Sequence, residues 1–174
     1  MKYFTLPGYG GSGAEHWQSY FEKDLPNCER VEQADWDNPD CTEWVNTLEQ
    51  KIADCADEEI ILLAHSLGCI TLAHWVARFQ QKVKAALLVA PPDLENQKHS
   101  FQSFTPTPLK TLPFKTILVS SDNDPWIKKE RAEFLAKQWG SDFVLLQNAG
   151  HINADAGYGK WEDGLKLVQK LTAD

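Results

Sequence analysis

The amino-acid sequence predicts an α/β fold: a three-layer α/β/α sandwich of about six parallel strands with helices on both faces. Short apolar runs alternate with amphipathic segments along the chain, the pattern of successive strand–helix units. The clearest run, Ile60-Ile61-Leu62-Leu63, is unbroken rather than alternating, as a strand buried on both faces of a parallel sheet requires. Turns rich in Gly, Asp and Asn follow the runs and provide sharp exits toward the next helix.

Taken in order, Tyr3 to Leu6 reads as the first strand, followed by the loop Pro7-Gly8-Tyr9-Gly10-Gly11-Ser12-Gly13. Residues Ala14 to Leu25 form a helix with His16 and Trp17 near its start, and Glu29 to Gln33 a short second strand. The turn-rich stretch Ala34 to Asp40 holds Trp36. Thr42 is the expected N-cap of a helix reaching Ala53, with Trp44, Leu48 and Ile52 on one face. After the central strand, Ile70, Leu72, Ala73, Val76, Ala77 and Phe79 give the segment Cys69 to Gln80 a broad apolar helical surface. Val83 to Ala90 is the next strand. Pro91 to Leu112 is a long connection carrying Phe101 and Phe104, and connections of that length are commonly functional or mobile. Lys115 to Ser120 is a strand, Lys128 to Trp139 a helix, Phe143 to Leu146 the last strand and Gly159 to Leu171 the last helix.

At 174 residues, with no repeat and no evident linker, the chain is expected to form one domain over 1–174. A net charge of −8 disfavours nucleic acid or an anionic membrane as partner, because both need a basic surface. No apolar stretch reaches membrane-spanning length, and Met1 leads into a strand without a signal-peptide core, so a cytoplasmic location is expected. Cys28, Cys41, Cys55 and Cys69 are dispersed, with no Cys-x-x-Cys pair and no His at zinc-ligand spacing. They read as reduced packing residues, and no metal is expected.

The central run ends in Ala64-His65-Ser66-Leu67-Gly68, one residue short of the G-x-S-x-G nucleophile elbow, with Ala64 in place of the first glycine. Strand, tight turn with a central serine, then helix is the context that motif demands; a serine that only caps a helix is the plainer alternative. A serine nucleophile needs an imidazole to take its proton and a carboxylate to orient the imidazole. In α/β-hydrolases these follow in the order Ser, acid, His, each on a loop after a strand. Ser66, then Asp122 or Asp124, then His151 fit that order. Asp124 is preferred to Asp122 because Asp124-Pro125 fixes a tight turn under its carboxylate. His65 is expected to point into packing, and His16 is a minor candidate for lining the site. Leu67, and Tyr9 or Gly10 from the first loop, are the expected N–H donors to an oxyanion. Gly8, Gly10 and Gly13 also match G-x-G-x-x-G, with Glu32 or Asp35 about 20 residues on, as a dinucleotide site would have. That reading accounts for one loop, whereas the hydrolase reading accounts for four.

The Pro7-Gly8 loop, His16-Trp17, Asp35-Trp36 with Pro39 and Trp44, His65-Ser66-Leu67-Gly68, Asp124-Pro125 and Gly150-His151 together resemble the small serine hydrolases related to retinoblastoma-binding protein 9 and the bacterial YdeN proteins. The resemblance spans nearly the whole chain. It implies a minimal α/β-hydrolase with no separate cap domain and a triad of Ser66, Asp124 and His151. A Leu-x-Cys-x-Glu motif is absent, the comparable stretch being Ala53-Asp54-Cys55-Ala56-Asp57, so binding of the retinoblastoma protein is not expected.

The expected activity is cleavage of a small ester or amide, or a short peptide, through an acyl-serine, with no cofactor. A non-catalytic interaction domain on the same fold is the alternative. Trp36, Phe101, Phe104 and Trp126 are expected to wall the substrate pocket, since aromatic rings offer large apolar contact area.

Overall fold

A single sheet of six strands in the order β2-β1-β3-β4-β5-β6, parallel at every pairing, forms the centre of the molecule. The computed structural model describes residues 1–55, 57–80 and 82–173. Along the chain the elements are β1 (Lys2–Leu6), α1 (Trp17–Asp24), β2 (Cys28–Arg30), α2 (Cys41–Ala53), β3 (Ile60–His65), α3 (Leu67–Arg78), β4 (Ala85–Val89), β5 (Lys115–Ser121), α4 (Lys129–Trp139), β6 (Asp142–Leu146) and α5 (Glu162–Thr172). This is the three-layer α/β-hydrolase architecture without a separate cap. From β1 the chain steps outward to β2, then returns to β3 on the other side. The C-terminal ends of β1 and β3 therefore flank the point where strand order reverses, where open α/β sheets bind ligands.

Strand periodicity decides which residues meet which helices. Ile61 and Leu63 of β3 face Trp17 and Phe21 of α1 and Val168 and Leu171 of α5. Ile60, Leu62 and Ala64 face the opposite layer, where Trp44 and Leu48 of α2, Leu72 and Trp75 of α3, and Leu135 and Trp139 of α4 pack together. Both faces of β3 are thus covered, which explains a run without a polar residue. Each of those Ile, Leu and Val side chains contributes about 1.5–3 kcal/mol by leaving water.

Several boundaries shift for local reasons. Helix α1 begins at Trp17 because His16 is extended and caps it, its side chain accepting the Gln18 N–H. Asp40, not Thr42, caps α2, its Oδ1 accepting the N–H groups of Thr42 and Glu43 at 2.9 and 3.0 Å. Strand β2 stops at Arg30 because it is an edge strand, and its guanidinium instead ties the first loop down: Nη1 donates to the Ser12 carbonyl at 2.7 Å and Nη2 to Ser19 Oγ at 2.8 Å. The 91–112 connection is pinned to α4 by Arg131, which pairs with Asp93 and Glu95, while Glu95 also accepts the Thr107 N–H. All four cysteines are unpaired. Among the described residues no helix is long and apolar enough to cross a membrane. Ala56, part of the stretch compared with the Leu-x-Cys-x-Glu motif, lies outside the described residues.

Candidate active site

The turn between β3 and α3 holds Ser66 at φ 53° and ψ −123°, a strained conformation for a residue with a side chain. Helix α3 begins immediately afterwards at Leu67, two residues earlier than the apolar pattern suggests, and the Leu67 N–H has no carbonyl to reach within the helix. The turn is possible because α3 lies directly on the end of β1. A Cβ at Gly68 would sit 2.1 Å from the Leu6 carbonyl oxygen. Reciprocally, a Cβ at Gly8 would sit 2.9 Å from Ser66 Cβ and 3.1 Å from the Leu67 nitrogen, so the first loop rests on the elbow. Ala64 is fully buried between Leu6 and Leu88 of the neighbouring strands, and its methyl group occupies core.

Three loops at the C-terminal ends of β3, β5 and β6 bring their side chains together. His151 Nε2 lies 2.9 Å from Ser66 Oγ, and His151 Nδ1 lies 2.9 and 3.0 Å from the two carboxylate oxygens of Asp124. With Nδ1–H donating to the carboxylate, Nε2 is left to accept the serine hydroxyl proton. The Asp124 carboxylate is buried and also accepts the Trp126 N–H at 2.9 Å. The remaining residues of the acid loop grip the backbone of the histidine loop. Asp122 Oδ1 accepts the Asn148 N–H at 2.7 Å, Ser121 Oγ the Ala149 N–H at 2.9 Å and Asn123 Oδ1 the Gly150 N–H at 2.8 Å.

The far side of His151 is held as firmly. His65 is buried as expected, but it is also engaged: its Nε2–H donates to the His151 carbonyl at 2.9 Å. The next residue, Ile152, has φ 49°, a position that disfavours a β-branched side chain, and its carbonyl accepts the buried Trp17 Nε1–H at 3.0 Å.

A cavity of about 200 Å³ opens beside these groups, bounded by Gly8, Tyr9, Gly11, Gly13, His16, His65, Ser66, His151 and the 153–155 turn. Its walls correct the aromatic-pocket expectation. Phe104 is fully buried, its ring 5.7 Å from Trp44 and 6.4 Å from His74, because a 3₁₀ turn at Gln102–Phe104 drives it between α2 and α3. Trp36 packs edge-on against Trp44 and lies beside Gly11. Phe101 stands behind the exposed Tyr9 at 5.3 Å, and Trp126 lies 6.4 Å from the His151 ring. None of the four lines the cavity. Gly10 is also corrected as an N–H donor: its N–H is taken by the Trp36 carbonyl at 2.9 Å, and Gly10 is not in the cavity wall, whereas Tyr9 is. Asn153 and Asp155 escaped sequence reasoning, although they stand two and four residues beyond His151 on the same loop. A larger hollow of about 760 Å³ lies around Ile60, Trp75 and Phe114, away from Ser66 and without any of the converging groups.

Burial, reinforced by Arg30 and His151, lowers the His16 pKa to about 4. Burial, reinforced by His16 and His151, holds His65 well below its ordinary value. Both rings are neutral at pH 7. Among the described residues no three His, Cys, Asp or Glu side chains are grouped to hold a metal ion. The dinucleotide reading fits poorly, because the first turn of α1 is capped by the protein's own His16 and the glycine loop leans on Ser66.

The sequence matches the serine hydrolase family over residues 3–170. A protein of Pectobacterium atrosepticum described as a YdeN-like hydrolase is 32% identical, with a TM-score of 0.88 over 98% of this chain and 89% of its own. The ydeN gene product of B. subtilis, at 17% identity, superimposes with a TM-score of 0.77 over 99% of both chains. An α/β hydrolase enzyme from the metagenome of Mar Chica lagoon sediments gives 0.72 at 15% identity over 98% and 89%. These last two show a common fold. No curated protein matches the sequence. A serine on a strained elbow within this fold, a family match across nearly the whole length and a YdeN-like relative at that identity lead to one conclusion: the chain belongs to the serine hydrolase family, among its small YdeN-like members.

Proposed function

We propose that the protein hydrolyses a small carboxylic ester or amide through an acyl-Ser66 intermediate. The observation that carries this reading is the unbroken relay from Ser66 Oγ through His151 to Asp124, with contacts of 2.9–3.0 Å. As Ser66 Oγ attacks the carbonyl carbon, its proton passes to His151 Nε2, and the Asp124 carboxylate stabilises the imidazolium. The carbonyl oxygen becomes an oxyanion facing the Leu67 and Tyr9 N–H groups. The imidazolium then gives its proton to the leaving alcohol or amine. Water, deprotonated by the same nitrogen, attacks the acyl-serine, and collapse of the second tetrahedral intermediate returns the proton to Ser66 Oγ and releases the acid. A cavity of about 200 Å³ suits a small substrate group.

Labelling with a fluorophosphonate probe tests this reading. Wild-type protein is expected to be modified at Ser66, with Ser66→Ala folded and unlabelled. Equal labelling of the Ser66→Ala variant would overturn the assignment.

A further inference from the structure

His16 is a histidine without a place in the relay, and it is spent in an unusual way. Its Nδ1 accepts the Gln18 N–H at 3.2 Å, closing the N-terminus of α1. A neutral imidazole that accepts at Nδ1 carries its proton on Nε2. Neutrality follows from position: the ring is 5% exposed, has Arg30 and His151 as its charged or chargeable neighbours, and packs 4.6 Å from the neutral His65. The two ring nitrogens point in widely different directions. With Nδ1 fixed on α1, the Nε2–H is turned away from the helix, and the ring forms part of the wall of the cavity that holds Ser66 and His151. That Nε2 is buried and has no hydrogen-bond partner in the protein.

A buried donor left unmade is costly, and in native proteins such groups are few and call for an explanation. Here the fold has an alternative it does not use: Asp or Ser at position 16 would cap α1 equally well without adding an unpaired N–H to the site. The cavity beside it is polar, walled by glycine backbone and by Asn153 and Asp155.

Building on the hydrolase reading, we infer that His16 is a specificity-determining residue whose Nε2–H donates to a neutral acceptor oxygen on the substrate, an ether, hydroxyl or second carbonyl close to the scissile group. Substrates carrying such an oxygen satisfy the buried donor, whereas hydrocarbon isosteres leave it unpaired. Sites that hydrogen-bond a substrate group discriminate against the analogue lacking it for this reason.

Two pairs of esters differing by one oxygen test the inference. On the acyl side the pair is 4-nitrophenyl methoxyacetate and 4-nitrophenyl butyrate; on the leaving side it is 2-methoxyethyl acetate and butyl acetate. The variant is His16→Asn, which keeps an acceptor for the Gln18 N–H but is too short to carry a donor into the cavity. For at least one pair, the ratio of kcat/KM for the oxygen-containing ester over its isostere should fall roughly three- to tenfold in the variant, the worth of one neutral hydrogen bond. Intrinsic reactivity cancels between wild type and variant. Ratios unchanged in both pairs, whether the absolute rates fall together or not at all, would overturn the inference and leave His16 as a helix cap. Fluorophosphonate labelling of Ser66 in the same preparations separates the two readings. Labelled protein with unchanged ratios rejects the role of His16 alone, whereas unlabelled wild type rejects the hydrolase mechanism and this inference with it.

Discussion

Asp122 Oδ1 accepts the main-chain N–H of Asn148 at 2.7 Å, which commits the first of two neighbouring acids to the backbone of the histidine loop and leaves Asp124 to the imidazole. The two aspartates, two residues apart, differ in what each carboxylate touches: Asp122 the main chain, Asp124 the His151 ring. Asp124→Asn should lower kcat about 10⁴-fold, because an amide facing Nδ1 favours the wrong imidazole tautomer. Asp122→Asn retains an oxygen for the Asn148 N–H and should cost less than about tenfold, the scale of a single weakened hydrogen bond. Steady-state kinetics on one activated ester distinguishes them, and the reverse ranking would move the acid to Asp122.

Phe104 belongs to the core, so its removal should act on stability and not on choice of substrate. Phe104→Ala should destabilise the fold by about 3–5 kcal/mol, as large-to-small changes at buried aromatic sites do. Activity per folded molecule should be the same across short and long acyl esters. Urea unfolding together with an ester panel checks both halves. A selective loss on bulky esters at unchanged stability would return Phe104 to the substrate pocket.

Stability should fall on the acid side of neutrality. His16 has its pKa lowered from 6.5 to about 4 and burial holds that of His65 well below its ordinary value, so the unfolded chain binds protons that the native state refuses. The contribution is complete above pH 6.5 and is lost progressively as pH falls from there toward 4. At pH 5 the His16 ring accounts for about 2 kcal/mol relative to pH 7, and His65 acts in the same direction. Urea unfolding at the two pH values should show the loss, and His65→Gln should show less of it than wild type. A variant as acid-sensitive as wild type would assign the effect to other groups.

What could be read in advance followed physical scale. The Ile60 to Leu63 run was legible as a central strand because burial on both faces leaves no polar position, and the elbow was legible because strand, serine and helix are contiguous. The order Ser66, Asp124, His151 anticipated three loops meeting, since every strand of a parallel sheet delivers its C-terminal end to the same edge. Phe104 was not legible. A phenylalanine in an irregular segment has no periodicity to say which way it faces, and only the 3₁₀ turn turns it inward. Nor was the loss of the Gly10 N–H to Trp36, a contact between segments that the sequence holds well apart. His16 showed as a motif with Trp17, but its orphaned nitrogen depends on the ring's orientation, which no pattern of residue types encodes.

The paired contacts of Gly8 on Ser66 and of Gly68 on Leu6 lock the first loop and the elbow into one body, while the histidine loop hangs from a different one, the grip of residues 121–124. The two halves of the proposed chemistry therefore have largely separate mountings, joined across the Ser66–His151 hydrogen bond and by the His65 ring on the His151 carbonyl. On the proposed mechanism, damage to the 121–124 mounting should slow proton transfer yet leave the oxygen cradle intact, and damage to the glycine contacts should do the reverse. On that mechanism, loss of the base should leave the cradle able to hold a tetrahedral adduct, so binding of a transition-state mimic and turnover of a substrate should be separable.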